Sequence, residues 1–131
     1  MGQGTLVTGQ INDAQTLVKK LDSAGTPPKV AMWYFYDDAQ EWRLILAIPE
    51  FDSLLPQKEA VAYQRVAKAL TSLSLTSLAL SDLKLVRTEF PLVRAIQMLL
   101  RTSPYAVGVA HFTDTTLNGI FMKEMIVLRS A

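Results

Sequence analysis

The sequence predicts an α+β domain, a two-layer sandwich of three helices on a five-stranded sheet in the order α-β-β-α-β-α-β-β. The first observation behind this is a repeated switch of apolar period between about 3.6 and 2 residues. The second is that two pairs of strand-like segments bracket a lone strand and helix, which suits a largely antiparallel sheet. Helices two and three can each join parallel strands, so a mixed sheet is also allowed. The third is composition: 131 residues, 50% hydrophobic, 19% charged and without cysteine. Such a chain can build a core as a single domain (residues 1–131) without disulfides or cysteine-bound metal.

Residues 1–10 contain three glycines and few bulky groups, and read as a loose leader. Asn12, with Gln15 three residues on, marks a helix start. Leu17, Val18 and Leu21 then form an apolar stripe beside Ala14 and Ala24. Gly25 permits the left-handed turn that ends a helix, and Pro27-Pro28 stops its continuation.

From Lys29 the period becomes 2. Val30, Met32, Tyr34 and Tyr36 point one way, and Ala31, Trp33 and Phe35 the other. After Asp37-Asp38-Ala39-Gln40, Trp42, Leu44, Leu46 and Ile48 share a face of the returning strand. A three-residue loop would pair Tyr36 with Trp42, and a four-residue loop Phe35 with Trp42. The alternation fits both, and one slip exchanges the faces.

Residues 49–56 form a connection, and Ala62, Val66, Ala69, Leu70 and Leu73 set a second helix over about 57–72. Residues 75–81 read as a turn or extended segment, and 83–87 as a short strand. Pro91 suits the first turn of a third helix capped by Thr88 or Glu89, which runs towards Pro104. The last two strands are expected over 105–112 and 120–128, joined by a polar loop through Asn118-Gly119.

Few residues point to chemistry. The run Trp33-Tyr34-Phe35-Tyr36 puts large rings on both faces of a strand, so the face that helices leave bare needs another cover. Tyrosine and tryptophan suit half-wet interfaces. His111 is the sole histidine, which excludes paired-histidine metal sites. Asp114 lies three residues on, at a parity that sends it to the opposite strand face. Asp37, Asp38 and Glu41 crowd one turn without the glycine and terminal glutamate of a calcium loop. Gly2-Gln3-Gly4 lacks the strand and third glycine of a dinucleotide loop, and neither Gly-Lys-Ser/Thr nor Gly-x-Ser-x-Gly occurs.

Residues 1–55 carry four basic and seven acidic side chains, and residues 56–131 nine and five. The second half supplies Arg94 and Arg101, seven apart on helix three, and Lys58, Arg65 and Lys68 along helix two. Met1 to Val7 lack the basic and apolar regions of a secretory signal. A soluble, cytoplasmic protein without membrane attachment is expected.

The leading functional expectation is a non-catalytic protein-interaction or accessory domain. It self-associates as a homodimer, or binds another protein, through Tyr34, Tyr36 and Trp42. One alternative is a weak nucleic-acid binder that uses Arg94, Arg101, Arg65 and Lys68 on phosphates. The other is a small-molecule-binding or hydrolytic domain with a pocket near His111. No catalytic, cofactor-binding or metal-binding residue is assigned, no cofactor is expected, and the reading leans away from an enzyme.

Overall fold

A computed structural model describes residues 8–52 and 56–131. The hairpin that closes first in sequence sets the sheet. Strand β1 (Val30–Tyr36) pairs antiparallel with β2 (Glu41–Ala47), and Phe35 stands opposite Trp42. The loop therefore has four residues, Asp37 to Gln40. Gln40 takes the left-handed conformation at φ 55°, and its amide donates back to the Asp37 carbonyl and carboxylate at 2.6 and 3.0 Å. Those local bonds help offset the strain of a positive φ in a residue with a Cβ.

Helix α2 (Pro56–Leu73) then carries the chain to β3 (Leu83–Val86), which lies parallel to β2. Helix α3 (Pro91–Leu99) leads towards β4 (Ala110–Leu117), and β5 (Ile120–Ser130) returns antiparallel between β4 and β1. The strand order is β3-β2-β1-β5-β4, a mixed sheet in which, among the described residues, only the β2–β3 pair is parallel. The α+β class and element order agree with the sequence periodicity.

Alternation along β1 and β2 divides two cores. Ala31, Trp33, Phe35, Trp42, Leu44 and Leu46 pack against α1 (Thr8–Ser23) and α2 through Leu17, Val18, Leu21, Ala62 and Val66. This helix layer and the sheet make a two-layer sandwich. On the sheet's other face Val30, Met32, Tyr34, Ile45 and Ala47 meet Leu92, Val93 and Ile96 of α3. Central strands covered on both sides read as nearly continuous apolar runs, which is why β1 contains no charged residue. Each fully buried leucine or isoleucine here stabilises the fold by about 1.5–3 kcal/mol before entropy is counted.

Several boundaries differ from the expected ones. Residues 1–7 of the expected leader lie outside the described residues, and residues 8–10 are helical. Asn12 is inside α1, not its cap, because Ile11 reaches the first core and the Asp13 carboxylate accepts from Ser77 N–H at 2.7 Å. Tertiary contacts thus extend the helix past its local start signal. Thr88 does not cap α3; its N–H and hydroxyl both bind Asp52, at 2.7 and 2.6 Å, and Phe90 takes the cap position.

The expected strand over 105–112 is displaced to 110–117. The stretch before it runs beside the end of β5 through single bonds, Thr102 N–H to Ser130 O and Gly108 N–H to Leu128 O. The threonine-rich segment is polar enough to resemble a loop, but β-branched threonine suits strands, and Thr113, Thr115 and Thr116 are paired with β5. Asn118 and Gly119, at φ 52° and 74°, then close a two-residue turn. Ala110 and Phe112 face the second core, and so do Leu117, Ile120 and Met122 beyond Asp114. Strict alternation would separate these sets. Asp114, at φ 47°, and Lys123 opposite it drop out of the pairing while the register on either side is unchanged, and both strands change face there.

Candidate functional site

Parity places Tyr34 and Tyr36 on the α3 face of β1, with ring centroids 4.9 Å apart in an edge-on contact. Lys84 reaches the same face from β3, two strands away. Its ammonium donates to the Tyr36 hydroxyl at 3.1 Å and lies 5.1 and 5.6 Å from the Tyr36 and Phe90 ring centroids. The cation is thus drawn inward over two rings. Tyr34 is only 8% exposed, and its hydroxyl donates to the Phe121 carbonyl at 3.4 Å. Burial first, and the neighbouring Tyr36 second, raise its pKa above the ordinary phenol value.

Trp42 does not join this pair. It packs on the opposite face against Phe35, with centroids 5.3 Å apart, and is 9% exposed. Of the three residues read as an interface, Tyr34 and Tyr36 are brought together, Trp42 is separated, and Tyr36 is the most accessible.

The cluster borders the outer edge of β3, where a cleft of about 490 Å³ is lined by Lys84 to Arg87 and Glu89 to Pro91. In a parallel ladder a residue's N–H and C=O point to the same side, and successive residues alternate. The Val86 carbonyl accepts from Ile48 N–H, so Val86 and Lys84 bond towards β2. The N–H and C=O of Leu85 therefore point out of the sheet, along the cleft. A second cleft of about 240 Å³ opens between the tips of the two hairpins, beside Tyr34 to Asp38, Phe121 and Lys123.

The remaining candidates are dispersed. His111 is 53% exposed and its Nε2 lies 2.7 Å from Glu124, not near Asp114. The two-residue turn at Asn118-Gly119 was the signal for this. It pairs Leu117 with Ile120 and so sets Thr113 opposite Glu124, diagonal to His111. Asp37 is held by Gln40, Glu41 lies 3.6 Å from Arg43, and no group of three or more metal-ligating side chains forms among the described residues.

The basic residues divide between the sheet's two sides. Arg65 and Lys68 are on α2, and Arg94 is on α3 across the sheet. Arg101 is not on helix three, because α3 ends at Leu99 and Leu100 is extended at φ −147°. The seven-residue spacing of Arg94 and Arg101 therefore fails to place them on one helical face. The Lys58 side chain lies outside the described ones.

Sequence reading missed the buried ion pair of Asp22 and Arg129. Arg129 is fully buried and binds both Asp22 oxygens at 2.8 and 2.6 Å, with further bonds to the Pro28 and Ala106 carbonyls. At 107 residues' separation no local pattern reports it. No helix among the described residues is long and apolar enough to cross a membrane. No family model, no curated protein and no solved structure matches this chain, and the geometry alone informs its function.

Proposed function

We propose that the chain is a non-catalytic interaction domain that self-associates by pairing the outer edge of β3 with that of a second copy. The observation that carries this reading is the outward backbone of Leu85 beside an open cleft. An exposed strand edge is a template for another strand. Edge lysines commonly guard against such pairing, but Lys84 is turned inward to Tyr36 and Phe90. The other edge, β4, is interrupted by the left-handed Asp114 and suits a partner strand less well. Two β3 edges related by a two-fold axis would close the interface, whereas β3 against β4 would propagate.

Sedimentation across a concentration series tests the reading. The wild-type chain is expected to dimerise. Tyr36→Ser, which releases Lys84 towards the edge, is expected to remain folded and shift to monomer. A monomeric wild type, or a Tyr36→Ser dimer as stable as the wild type, would contradict it.

A further inference from the structure

We infer that the cleft between α1 and α2 is a binding site for a small phosphomonoester. The cleft measures about 430 Å³ and is lined by Lys20, Ala24, Thr26, Arg65, Lys68, Ala69 and Ser72. Its size falls in the range of small-ligand pockets. Lys20 stands near the end of α1, while Arg65, Lys68 and Ser72 follow one another along α2 at helical spacing. Three cationic side chains thus line one cavity, and among the described residues that line it none is a carboxylate.

The nearest acid in sequence is committed elsewhere. Asp22 gives both carboxylate oxygens to Arg129, at 2.8 and 2.6 Å, so it does not neutralise the cleft. Three of the carbonyls at the end of α1, which would repel an anion, are also occupied. Lys20 O accepts from Ala24 N–H and the Ser23 hydroxyl, Leu21 O from Thr26 N–H, and Asp22 O from Gly25 N–H. The last two bonds, with Gly25 at φ +83°, are the Schellman arrangement that ends a helix.

That turn fixes Thr26, and Thr26 supplies the independent observation. It is 1% exposed and is one of the residues lining the cleft, and its hydroxyl has no hydrogen-bond partner among the described residues. A buried hydroxyl left without a partner is costly, and such a group usually has a ligand or a role. A phosphate dianion answers both features. It offers acceptor oxygens to the Thr26 hydroxyl and charge to Lys20 and Lys68. The site shares no lining residue with the cleft at the β3 edge and does not depend on self-association there.

Isothermal titration calorimetry with inorganic phosphate and with phenyl phosphate, against sodium chloride at matched ionic strength, tests the inference. Both phosphates are expected to bind at one site per chain. Lys68→Ala and Thr26→Val are each expected to weaken binding about ten- to a hundredfold, the scale of one charge-assisted hydrogen bond. Thr26→Val is also expected to leave the unliganded protein as stable as the wild type or more so, because it removes an unpartnered hydroxyl at nearly constant shape. Absence of phosphate binding beyond the chloride control would overturn the inference. So would unchanged affinity in a folded Thr26→Val variant. A single-stranded oligonucleotide bound more tightly than phenyl phosphate, and insensitive to Thr26→Val, would overturn it in favour of a nucleic-acid surface.

Discussion

The two edges of the sheet are built in opposite ways. Strand β3 is short and apolar, and Leu83, Leu85 and Val86 are buried at its end of the sheet. Strand β4 is twice as long and rich in threonine, and most of its side chains are exposed or half-buried. One left-handed residue, Asp114, breaks the regularity of β4, while β3 keeps an even backbone and an inward-turned lysine. The contrast suggests that protection of an edge can lie in backbone geometry as much as in charge. It also makes β3 the edge better suited to pairing.

The largest expected effect comes from releasing the β4 side of the fold. Asp22 and Arg129 tie the end of α1 to the end of β5 and to the 106 carbonyl that precedes β4. Asp22→Ala leaves a fully buried guanidinium without its counter-charge and is expected to cost about 3–5 kcal/mol in urea unfolding. A loss below about 1 kcal/mol would show that water relieves the arginine and that the pin is weak.

A smaller effect is expected at the turn that sets the β4 register. Gly119→Ala places a Cβ at φ +74° and is expected to cost about 1–2 kcal/mol. Among the described residues nothing within 4 Å would meet that Cβ, so the cost is conformational. Equal stability of the variant would mean that the turn relaxes and that the β4–β5 register is weakly specified.

On the β3 side, Tyr36→Phe removes the acceptor for the Lys84 ammonium. The expected loss is about 0.5–1.5 kcal/mol, together with weaker self-association as Lys84 turns outward. Unchanged association would break the link between the lysine's position and the open edge.

The smallest effect is in pH dependence. Tyr34 has its folded pKa raised above the unfolded value by burial and by Tyr36. Unfolding then favours proton release in alkali. The stabilising contribution is complete below about pH 10 and is lost as pH rises through the folded pKa. Phenolate absorbance should reveal a late-titrating tyrosine that Tyr34→Phe removes; simultaneous titration of all tyrosines below the unfolding transition would contradict this.

Local signals made much of the fold legible. The alternation from Val30 to Ile48 specified the first hairpin, Gly25 and the prolines ended α1, and Pro91 opened α3. What failed was local inference against tertiary contact. Asn12 looked like a cap but lies within a helix lengthened by Ile11 and Asp13, and Thr113 to Leu117 looked like loop but form a paired strand. The candidate site was legible only in part. Tyr34 and Tyr36 stood out as aromatic, but Lys84 joins Tyr36 across 48 residues. Thr26 carries no local signal, and it meets Arg65, Lys68 and Ser72 of α2 at one cleft only in the folded chain.

The most direct test is amide hydrogen exchange of residues 83–87 at low and high protein concentration. The edge-pairing account predicts that Leu85 gains protection as concentration rises, while Asp114 and its β4 neighbours stay unchanged. Concentration-independent exchange at Leu85, or protection gained at β4 instead, would contradict it.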